Sequence, residues 1–424
     1  MPGHKGRSFL GFESMDITEI NGADSLYEAS GIIAQSEKNA SELFGSRTFY
    51  STEGSSLCIR AMLYLAMLYA KEAGRASLVW ATRNAHKTFM SAAALLGFDI
   101  EWLYGKDGIS YLSCAIDAEV LDQKLSFAPT LPAAVYVTSP DYLGTTSNIA
   151  ALAGVCHRHG VLLIVDNAHG AYLKFLPSSL HPIDLGADMC CDSAHKTLPV
   201  LTGGAYMHLS SALPPKLANQ AKAALALFGS TSPSYLILAS LDHANGYIAN
   251  DYPPRLADFA RKFDEAKRTL MQNGYVLLGE EKLKLTIDAK SYGYLGGEIA
   301  DILEKKNIIC EFADPDFAVL MLTPENDDEE LSALTDALLG ISQRSAITQR
   351  APLMSRPKKA MSIREATLCM HEDVDLAKAC GRVLASANVA CPPAVPIVVC
   401  GEVIEHDAIE CMKYYGIEKC SVVK

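Results

Sequence analysis

Short apolar runs alternate with helical patterns between about Ala76 and Leu209, and this alternation constrains the fold more than any other feature of the sequence. It is typical of parallel strands in an α/β sheet that helices cover on both faces. Helical patterns at 87–97 and 149–160 separate runs that predict strands at 76–81, 133–138, 161–166, 188–193 and 204–209. Ligands of such sheets bind at the carboxyl ends of the strands, so the polar residues there are the functional candidates.

The pattern changes after Pro254, and the change predicts a second domain. Residues 255–274 form one long amphipathic helical pattern, and shorter apolar runs after it predict strands between helices. We therefore predict an N-terminal segment (1–45), a large α/β domain (46–254) and a smaller α+β domain (255–424).

Charge and composition exclude several classes of protein. The formal net charge of −12 argues against nucleic acid as a partner, because a phosphate backbone selects basic surfaces. No apolar run approaches the roughly 18 residues that span a membrane, and the first residues, MPGHKGRSFLGFES, lack the apolar core of a signal peptide. The twelve cysteines contain no CxxC pair, so we expect reduced thiols in a cytoplasmic protein without a metal site.

Two basic side chains follow predicted strands at the ligand-binding edge. Lys196, within DSAHKTLPVL (192–201), could form a Schiff base with a carbonyl ligand if burial and neighbouring groups lower its pKa. His86 follows the strand at 76–81, and its imidazole could stack on a flat ring. Taken alone, each has an ordinary alternative: a solvated loop lysine and a histidine at a helix start.

Asp166 ends the apolar run VLLIVD and should be buried at the same edge. An isolated buried carboxylate is costly unless it meets a cation, and the protonated pyridine nitrogen of pyridoxal 5'-phosphate is such a cation. The chain between Asp166 and Lys196 has room for one loop or helix and one strand, which puts both groups on neighbouring strand ends. The small residues Ala168 and Gly170 leave space for a ring. The alternative is that Asp166 only caps the next helix.

Two clusters of small polar residues could bind the phosphate of that cofactor. Gly54, Ser55 and Ser56 precede an amphipathic helix, whose N-terminus favours an anion. Ser230 and Thr231 also precede a helical pattern and could bind phosphate across a subunit boundary. Each cluster could instead be an ordinary helix cap. Together with Lys196, Asp166 and His86, they favour pyridoxal 5'-phosphate.

The chain resembles the Orn/Lys/Arg decarboxylases from residue 2 to about residue 404. The resemblance rests on seven segments in the family's order: PGHKG, RNAHK, TSPDYLG, DNAHGAY, SAHKTLP, STSPSYLILASLD and PPAVPIVVCGEVI. It implies a fold-type-I (aspartate-aminotransferase-like) large domain with a mainly parallel sheet, and a smaller α+β C-terminal domain. It also implies decarboxylation of arginine, lysine or ornithine to an amine and CO₂. The chain looks like the short form without the wing domain, which favours polyamine biosynthesis over acid resistance.

The resemblance implies roles for individual residues. Lys196 would carry the cofactor as a Schiff base, Asp166 would pair with the pyridine nitrogen, and His86 would stack on the ring. Ser193 and His195 would support the phosphate, or His195 would transfer the proton that follows loss of CO₂. The remaining cofactor contacts would be Ala168 on the other face of the ring, His169 near the imine, and the phosphate cup of Gly54, Ser55 and Ser56.

The resemblance also has implications for the assembly of subunits and for the binding of the substrate. Family members are homodimers or larger assemblies with active sites at subunit interfaces, so Ser230 and Thr231 would serve the neighbouring subunit. The cationic end of a basic substrate would need an acidic partner. Glu402 and Glu365 are the candidates, with solvated surface acids as the alternative.

Several positions depart from the family pattern but leave Lys196 intact. Asn167 and Tyr172 replace the acid and the second histidine of DEAHGAH, Glu53 stands near a usual asparagine, and Asp192 stands where glutamine is typical. The other departures are Gly203, Cys391 in place of an aromatic residue, and Ala394 in place of a glycine.

Two other functions are compatible with the same apparatus. An aminotransferase or another lyase would use the same cofactor, and an aminotransferase would usually hold the substrate carboxylate with an arginine such as Arg364. A non-catalytic relative would bind the cofactor without turnover, and the changed Glu53, Asn167 and Asp192 leave this alternative open.

Overall fold

The computed structural model describes residues 1–105, 110–386 and 393–424, so Cys391 lies outside the described residues. The chain divides into two compact units. The first unit comprises Met1–Ala81, Asp117–Ser139 and Ser147–Ala257, and the second comprises Thr82–Ile116, Pro140–Thr146 and Asp258–Lys424. The domain boundaries drawn from the sequence stay a prediction.

The strands are short, and most of them are buried. In chain order they are β1 (Arg47–Ser51), β2 (Leu78–Thr82), β3 (Asp99–Leu103), β4 (Ala134–Thr138), β5 (Leu162–Asp166), β6 (Met189–Asp192), β7 (Ala205–Leu209), β8 (Leu277–Leu278), β9 (Lys284–Asp288), β10 (Phe312–Ala313), β11 (Phe317–Met321), β12 (His371–Asp375), β13 (Leu384–Ser386) and β14 (Lys419–Val423).

The helices separate these strands along the chain. They are α1 (Ile32–Phe44), α2 (Gly54–Glu72), α3 (Lys87–Leu96), α4 (Ala118–Ser126), α5 (Ile149–Arg158), α6 (Ala194–Thr197), α7 (Pro215–Ala218), α8 (Ala221–Phe228), α9 (Tyr235–Asn250), α10 (Tyr252–Gln272), α11 (Gly296–Glu304), α12 (Asp328–Leu339), α13 (Ile363–Leu368) and α14 (His406–Tyr414), with 3₁₀ turns at Ala171–Phe175, Lys290–Tyr292 and Leu376–Lys378. In the described part of the chain, no helix is both long and apolar enough to cross a membrane.

The first unit is built on a sheet in which neighbouring strands follow the order β1-β7-β6-β5-β4-β2. Strands β2, β4, β5 and β6 run parallel, which confirms the predicted mainly parallel sheet. Strand β7 runs antiparallel to β6, and β1 runs antiparallel to β7. The sequence pattern groups the run at 204–209 with the parallel strands, and this prediction is wrong, because an apolar run carries no information about strand direction.

The register of the central strands fixes the edge where the candidate residues lie. Thr138 at the end of β4 is level with Asp166 at the end of β5, and Asp166 is level with Cys191 in β6. All five residues of β5 are buried, which agrees with its continuous apolar sequence. The carboxyl ends of three parallel strands therefore meet around Asp166.

The second unit contains two antiparallel sheets. The first has the order β10-β11-β9-β8 and the second has the order β12-β14-β13. This mixture of helices and small sheets is the α+β pattern that the sequence predicts for the C-terminal part of the chain.

Candidate active site

Asp166 is a buried carboxylate at the carboxyl end of β5, with 2% of its surface exposed. Its Oδ2 accepts a hydrogen bond from Tyr136 Oη at 3.0 Å, and its Oδ1 accepts one from the Ala168 N–H at 3.3 Å. Burial raises the pKa of Asp166, although the Tyr136 hydrogen bond and the charge of Lys196 act in the opposite direction. An anion that is this costly to bury is suited to a cationic partner.

Lys196 lies in the short helix α6, which follows β6 directly. Its Nζ is 2.8 Å from His169 Nε2, a hydrogen-bond distance. The Lys196 N–H donates to the Ser193 carbonyl at 3.0 Å, and Tyr252 Oη donates to the Thr197 carbonyl at 3.1 Å. These bonds fix the backbone on both sides of the lysine, and the amine of Lys196 and the imidazole of His169 are close enough to exchange a proton.

The predicted phosphate cup is partly assembled within the first unit. Gly54 begins α2 with a φ of +69°, a conformation that glycine adopts without strain. Ser193 Oγ donates to Ser55 Oγ at 2.9 Å, so hydroxyls from two separate elements meet there. The Gly54 N–H already donates to the Gly203 carbonyl at 2.7 Å, so this amide is engaged by the protein itself.

Glu53 and Gly203, which depart from the family pattern, are accommodated beside this cup. Glu53 Oε1 accepts a hydrogen bond from the Ser230 N–H at 2.6 Å, so this carboxylate oxygen is bonded to the loop that carries Ser230 and Thr231. A Cβ added at Gly203 would lie 2.8 Å from the Thr52 carbonyl oxygen, so the close approach of the two loops requires glycine.

The Gly204 carbonyl helps to orient the imidazole of His195. Its Nδ1 lies 3.0 Å from the Gly204 oxygen, which can only accept, so Nδ1 carries the hydrogen. Nε2 is then the nitrogen that accepts a proton when the imidazole is neutral. Ser230 and Thr231 are exposed in the single chain.

Asp192 and Asn167, two further departures, are bonded to each other. Asn167 Nδ2 donates to Asp192 Oδ1 at 2.7 Å, while His181 Nε2 and His208 Nε2 lie 3.1 and 3.2 Å from Asp192 Oδ2. All four residues are fully buried. Burial alone would raise the pKa of Asp192, but His181 and His208 hold it well below its usual value. The carboxylate at 192 is therefore compensated by this cluster.

The same cluster contains groups of the kind that bind metals. Ligand atoms of His181, Cys190 and Asp192 lie within 4.8 Å of one another. The hydrogen bonds to Asp192 account for this proximity without an ion. Sequence reasoning missed His181, His208 and Tyr136, because none of them stands in a local pattern that differs from ordinary strand or loop sequence.

The remaining predicted site residues belong to the second unit and have local contacts there. His86 is the N-cap of α3 and accepts a hydrogen bond from the Thr88 N–H at 3.1 Å, the ordinary alternative that the sequence leaves open. Glu365 is exposed and forms a capping box with Ser362 at the start of α13. The ring-stacking role of His86 and the substrate role of Glu365 stay predictions.

Glu402 is buried and forms an ion pair with Arg83, whose Nη2 lies 3.0 Å from Glu402 Oε2. The same oxygen accepts the Val399 N–H at 2.7 Å. Burial raises the pKa of Glu402, and Arg83 partly opposes this shift. A substrate that contacts Glu402 would therefore meet a carboxylate that is already paired with Arg83.

Arg364, the candidate carboxylate-binding arginine of an aminotransferase, is used within the second unit. Its Nη1 donates to the carbonyls of Ala94 and Leu95 at 2.7 and 3.0 Å, at the C-terminal end of α3. A guanidinium that is bonded to a helix end in this way is a helix cap.

Ala394 stands where the family usually has glycine, and its backbone has a conformation that favours glycine. Its φ is +56°, in the left-handed region, where glycine is favoured and an alanine Cβ is strained. We expect Ala394→Gly to raise the free energy of unfolding by about 0.5–1 kcal/mol, measured by urea denaturation. As a control, Ala366→Gly within α13 should lower it by about 1 kcal/mol. A loss of stability in Ala394→Gly would contradict this account.

The residues of the first unit fit pyridoxal 5'-phosphate. They provide a lysine amine, a buried carboxylate whose raised pKa calls for a cation, and paired hydroxyls of Ser55 and Ser193 beside a helix N-terminus. A mainly parallel sheet with such a lysine and aspartate at its carboxyl edge defines a fold-type-I pyridoxal-phosphate enzyme.

Comparison with known proteins identifies the family. Residues 6–277 match the family model described as the Orn/Lys/Arg decarboxylase major domain, and residues 343–419 match the C-terminal domain of the same family. The chain belongs to the Orn/Lys/Arg decarboxylase family and is a pyridoxal-phosphate-dependent amino acid decarboxylase, as the sequence predicts.

Individual relatives agree in length and fold. The chain is 30% identical to an arginine decarboxylase of Halalkalibacterium halodurans over 441 residues, covering 95% of this chain and 87% of that protein. It is 29% identical to the Bacillus subtilis protein YaaO, covering 94% of this chain and 84% of that protein. Lysine decarboxylase A from Pseudomonas aeruginosa shares the fold with a TM-score of 0.81 at 17% identity, covering 100% of this chain and 78% of that one.

Proposed function

We propose that the chain decarboxylates a basic amino acid, with arginine as the first candidate, and that Lys196 binds the cofactor as a Schiff base. The observation that carries the proposal is the 2.8 Å contact of Lys196 Nζ with His169 Nε2, in the unit that also contains the buried Asp166. This contact gives the lysine a proton-exchange partner at the sheet edge where ligands of this fold bind.

Asp166 would hold the pyridine nitrogen of the cofactor, and Tyr136 would hold Asp166. The phenol donates to Asp166 Oδ2, which leaves Oδ1 as the oxygen with the weaker contacts, the Ala168 N–H at 3.3 Å and the Cys191 thiol at 3.8 Å. Burial strengthens any charge pair that this carboxylate makes. When bound, the cofactor supplies the electron sink for the bond that breaks as CO₂ leaves.

Proton transfer would be divided between two histidines. His169 contacts Lys196 and can exchange a proton with its amine. His195, with Nδ1 bonded to the Gly204 carbonyl, presents Nε2 as the acceptor and is the candidate for proton delivery after loss of CO₂ or for phosphate binding. Ala168 would contact the ring.

The phosphate would be bound by Ser55, Ser56 and Ser193 at the N-terminus of α2. The Ser193–Ser55 hydrogen bond supports this assignment. Ser230 and Thr231 are exposed, which is compatible with a contribution to the site of a second copy in a homodimer.

Arginine is the first candidate substrate because the relative with 30% identity is named an arginine decarboxylase. Both acidic candidates are already engaged. Glu365 caps α13, and Glu402 is paired with Arg83, so Glu402 would have to share or release that partner to bind a cationic substrate. Formation of an amine from arginine suits polyamine biosynthesis in the cytoplasm, and we propose that setting for the reaction.

Contacts at specific residues support decarboxylation over the two rival activities. An aminotransferase would need an available arginine, and Arg364 is bonded to the end of α3. The departures at 53, 167 and 192 leave a non-catalytic relative open. Glu53 and Asp192 have compensating hydrogen bonds, and Asn167 donates to Asp192, although the Asn167 Oδ1 accepts none from the described residues.

The test is product analysis of the purified protein with pyridoxal 5'-phosphate and a panel of arginine, lysine, ornithine and neutral amino acids. We expect an amine lighter than arginine by CO₂, formed by the wild-type protein and absent with Lys196→Ala. A keto acid would indicate transamination instead. Cofactor binding without any product from the panel would contradict the proposed function.

A further inference from the structure

A cavity of about 600 Å³ lies entirely within the second unit. Its size falls in the range of about 300–1,000 Å³ that is usual for small-molecule sites. The walls are formed by the segment 309–315 around β10, by Tyr111 and Tyr415, and by Val395 and Ile397. The candidate active site described above uses none of these residues.

The charged side chains among the described residues that line this cavity are all acidic. Among the described residues that line it, Glu304, Glu311 and Asp314 are acidic, and there is no lysine or arginine. Glu311 Oε1 accepts a hydrogen bond from Tyr142 Oη at 3.0 Å, which orients its carboxylate. Such a lining attracts a cation and repels an anion.

Asp314 has one carboxylate oxygen that the protein does not satisfy. Its Oδ1 accepts the N–H groups of Asp316 and Phe317, each at 2.7 Å. Its Oδ2 is buried and accepts no hydrogen bond from the described residues. The neighbouring Asp316 also has a buried Oδ2 with no hydrogen bond from the described residues, but its Oδ1 is paired with Lys290 Nζ at 3.0 Å. Buried carboxylate oxygens are normally hydrogen-bonded, so Asp314 lacks a donor that a ligand could supply.

The rest of the lining is apolar and aromatic. The rings of Tyr111 and Tyr415 pack edge to face with centroids 4.8 Å apart, and Phe312 packs in the same way on Tyr142 at 5.6 Å. Aromatic faces bind ammonium and guanidinium groups, and aliphatic walls bind methylene chains. The lining therefore suits a molecule with both features.

We propose that this cavity binds a linear alkylamine whose end is an ammonium or guanidinium group, with that cation bonded to Asp314. The amine product of the reaction belongs to this class, so its identity as the natural ligand rests on the proposed function. The amino acid substrate has the same cationic end but also a carboxylate, which the acidic lining would repel. The cavity is thus selective for the product and would let the enzyme sense it.

The test is calorimetric titration of the holoenzyme with agmatine and 1,4-diaminobutane, and of the Lys196→Ala variant, which should not consume arginine, with arginine and agmatine. We expect Asp314→Asn and Glu311→Gln to weaken binding of both amines about tenfold or more, as loss of a charge-assisted hydrogen bond predicts. The exposed Glu329, in the first turn of α12, provides a matched control, and Glu329→Gln should leave the dissociation constant unchanged. Ala300→Trp should block the cavity without changing its charge and abolish this binding event.

Three results would overturn the proposal. The first is unchanged amine binding in Asp314→Asn and in Ala300→Trp. The second is an equal loss in Glu329→Gln, which would indicate general attraction by the acidic surface. The third is arginine binding as tightly as agmatine in a manner that depends on Asp314. The titration needs no turnover, so a failure of the proposed decarboxylation would be seen separately, as the absence of product in the amino acid panel.

Discussion

Asp166→Asn is expected to lower kcat by roughly 10³-fold, the loss that corresponds to about 4 kcal/mol for breaking a buried charge pair. Asparagine has nearly the same shape and can still accept from Tyr136 Oη, whose bond to Asp166 is 3.0 Å long. It cannot carry the negative charge that would keep the pyridine nitrogen protonated. Steady-state kinetics with the substrate identified by the panel would measure the loss.

Tyr136→Phe is the matched control for this prediction. It removes the donor to Asp166 Oδ2 but keeps the carboxylate, so we expect a loss of only about tenfold, as for one hydrogen bond. Equilibrium dialysis would show in parallel whether either variant releases the cofactor. A kcat for Asp166→Asn within tenfold of the wild-type value would contradict the role proposed for Asp166.

Asp192→Asn is expected to lower the free energy of unfolding by about 3 kcal/mol at pH 7, because it removes one partner from a buried charged cluster. In the native protein, Asn167 Nδ2 lies 2.7 Å from one oxygen of Asp192, and His181 Nε2 and His208 Nε2 lie 3.1 and 3.2 Å from the other. The amide group of asparagine would place its two hydrogens against one of these sides, where donors already point. Urea denaturation followed by circular dichroism would measure the change.

Asp188→Asn provides the comparison in the residue before β6. Asp188 is buried, and its Oδ2 accepts the Leu163 N–H at 2.8 Å, a role that an asparagine oxygen can keep. Its other partner, His157, has a side chain that is 46% exposed, so water can replace that contact and the loss should stay below about 1 kcal/mol. Equal losses in the two variants would contradict a special role for the Asp192 cluster.

The pH dependence of the Asp192 effect has a defined sign. The pKa of Asp192 is lower in the folded protein than its usual value, so its stabilising contribution is complete above the unfolded pKa of about 4 and is lost as the pH falls further. The stability difference between wild type and Asp192→Asn should therefore narrow as the pH falls below about 4.

The central sheet and the positions of two candidate site residues could be predicted from local sequence. Strand β5 is a continuous apolar run that ends in an acid, and this pattern gives both the strand and the position of Asp166. Lys196 follows β6 for the same reason, in a motif that is specific to the family. Both predictions depend only on residues that are adjacent in the chain.

Contacts between distant parts of the chain could not be predicted in this way. Arg83 and Glu402 are 319 residues apart, and neither sequence context indicates the other. His181 lies 3.1 Å from Asp192, and no local pattern indicates this contact. The apolar sequence of β7 does not indicate that this strand pairs antiparallel with β6.

The central claim is that Lys196 binds the cofactor, and one measurement tests it directly. The holoenzyme would be reduced with sodium borohydride, digested, and analysed by peptide mass spectrometry. The account predicts a phosphopyridoxyl group on Lys196, within the segment SAHKTLP, and its absence from that segment in Lys196→Ala. A modification on another lysine of the wild-type protein, or none on any lysine, would contradict it.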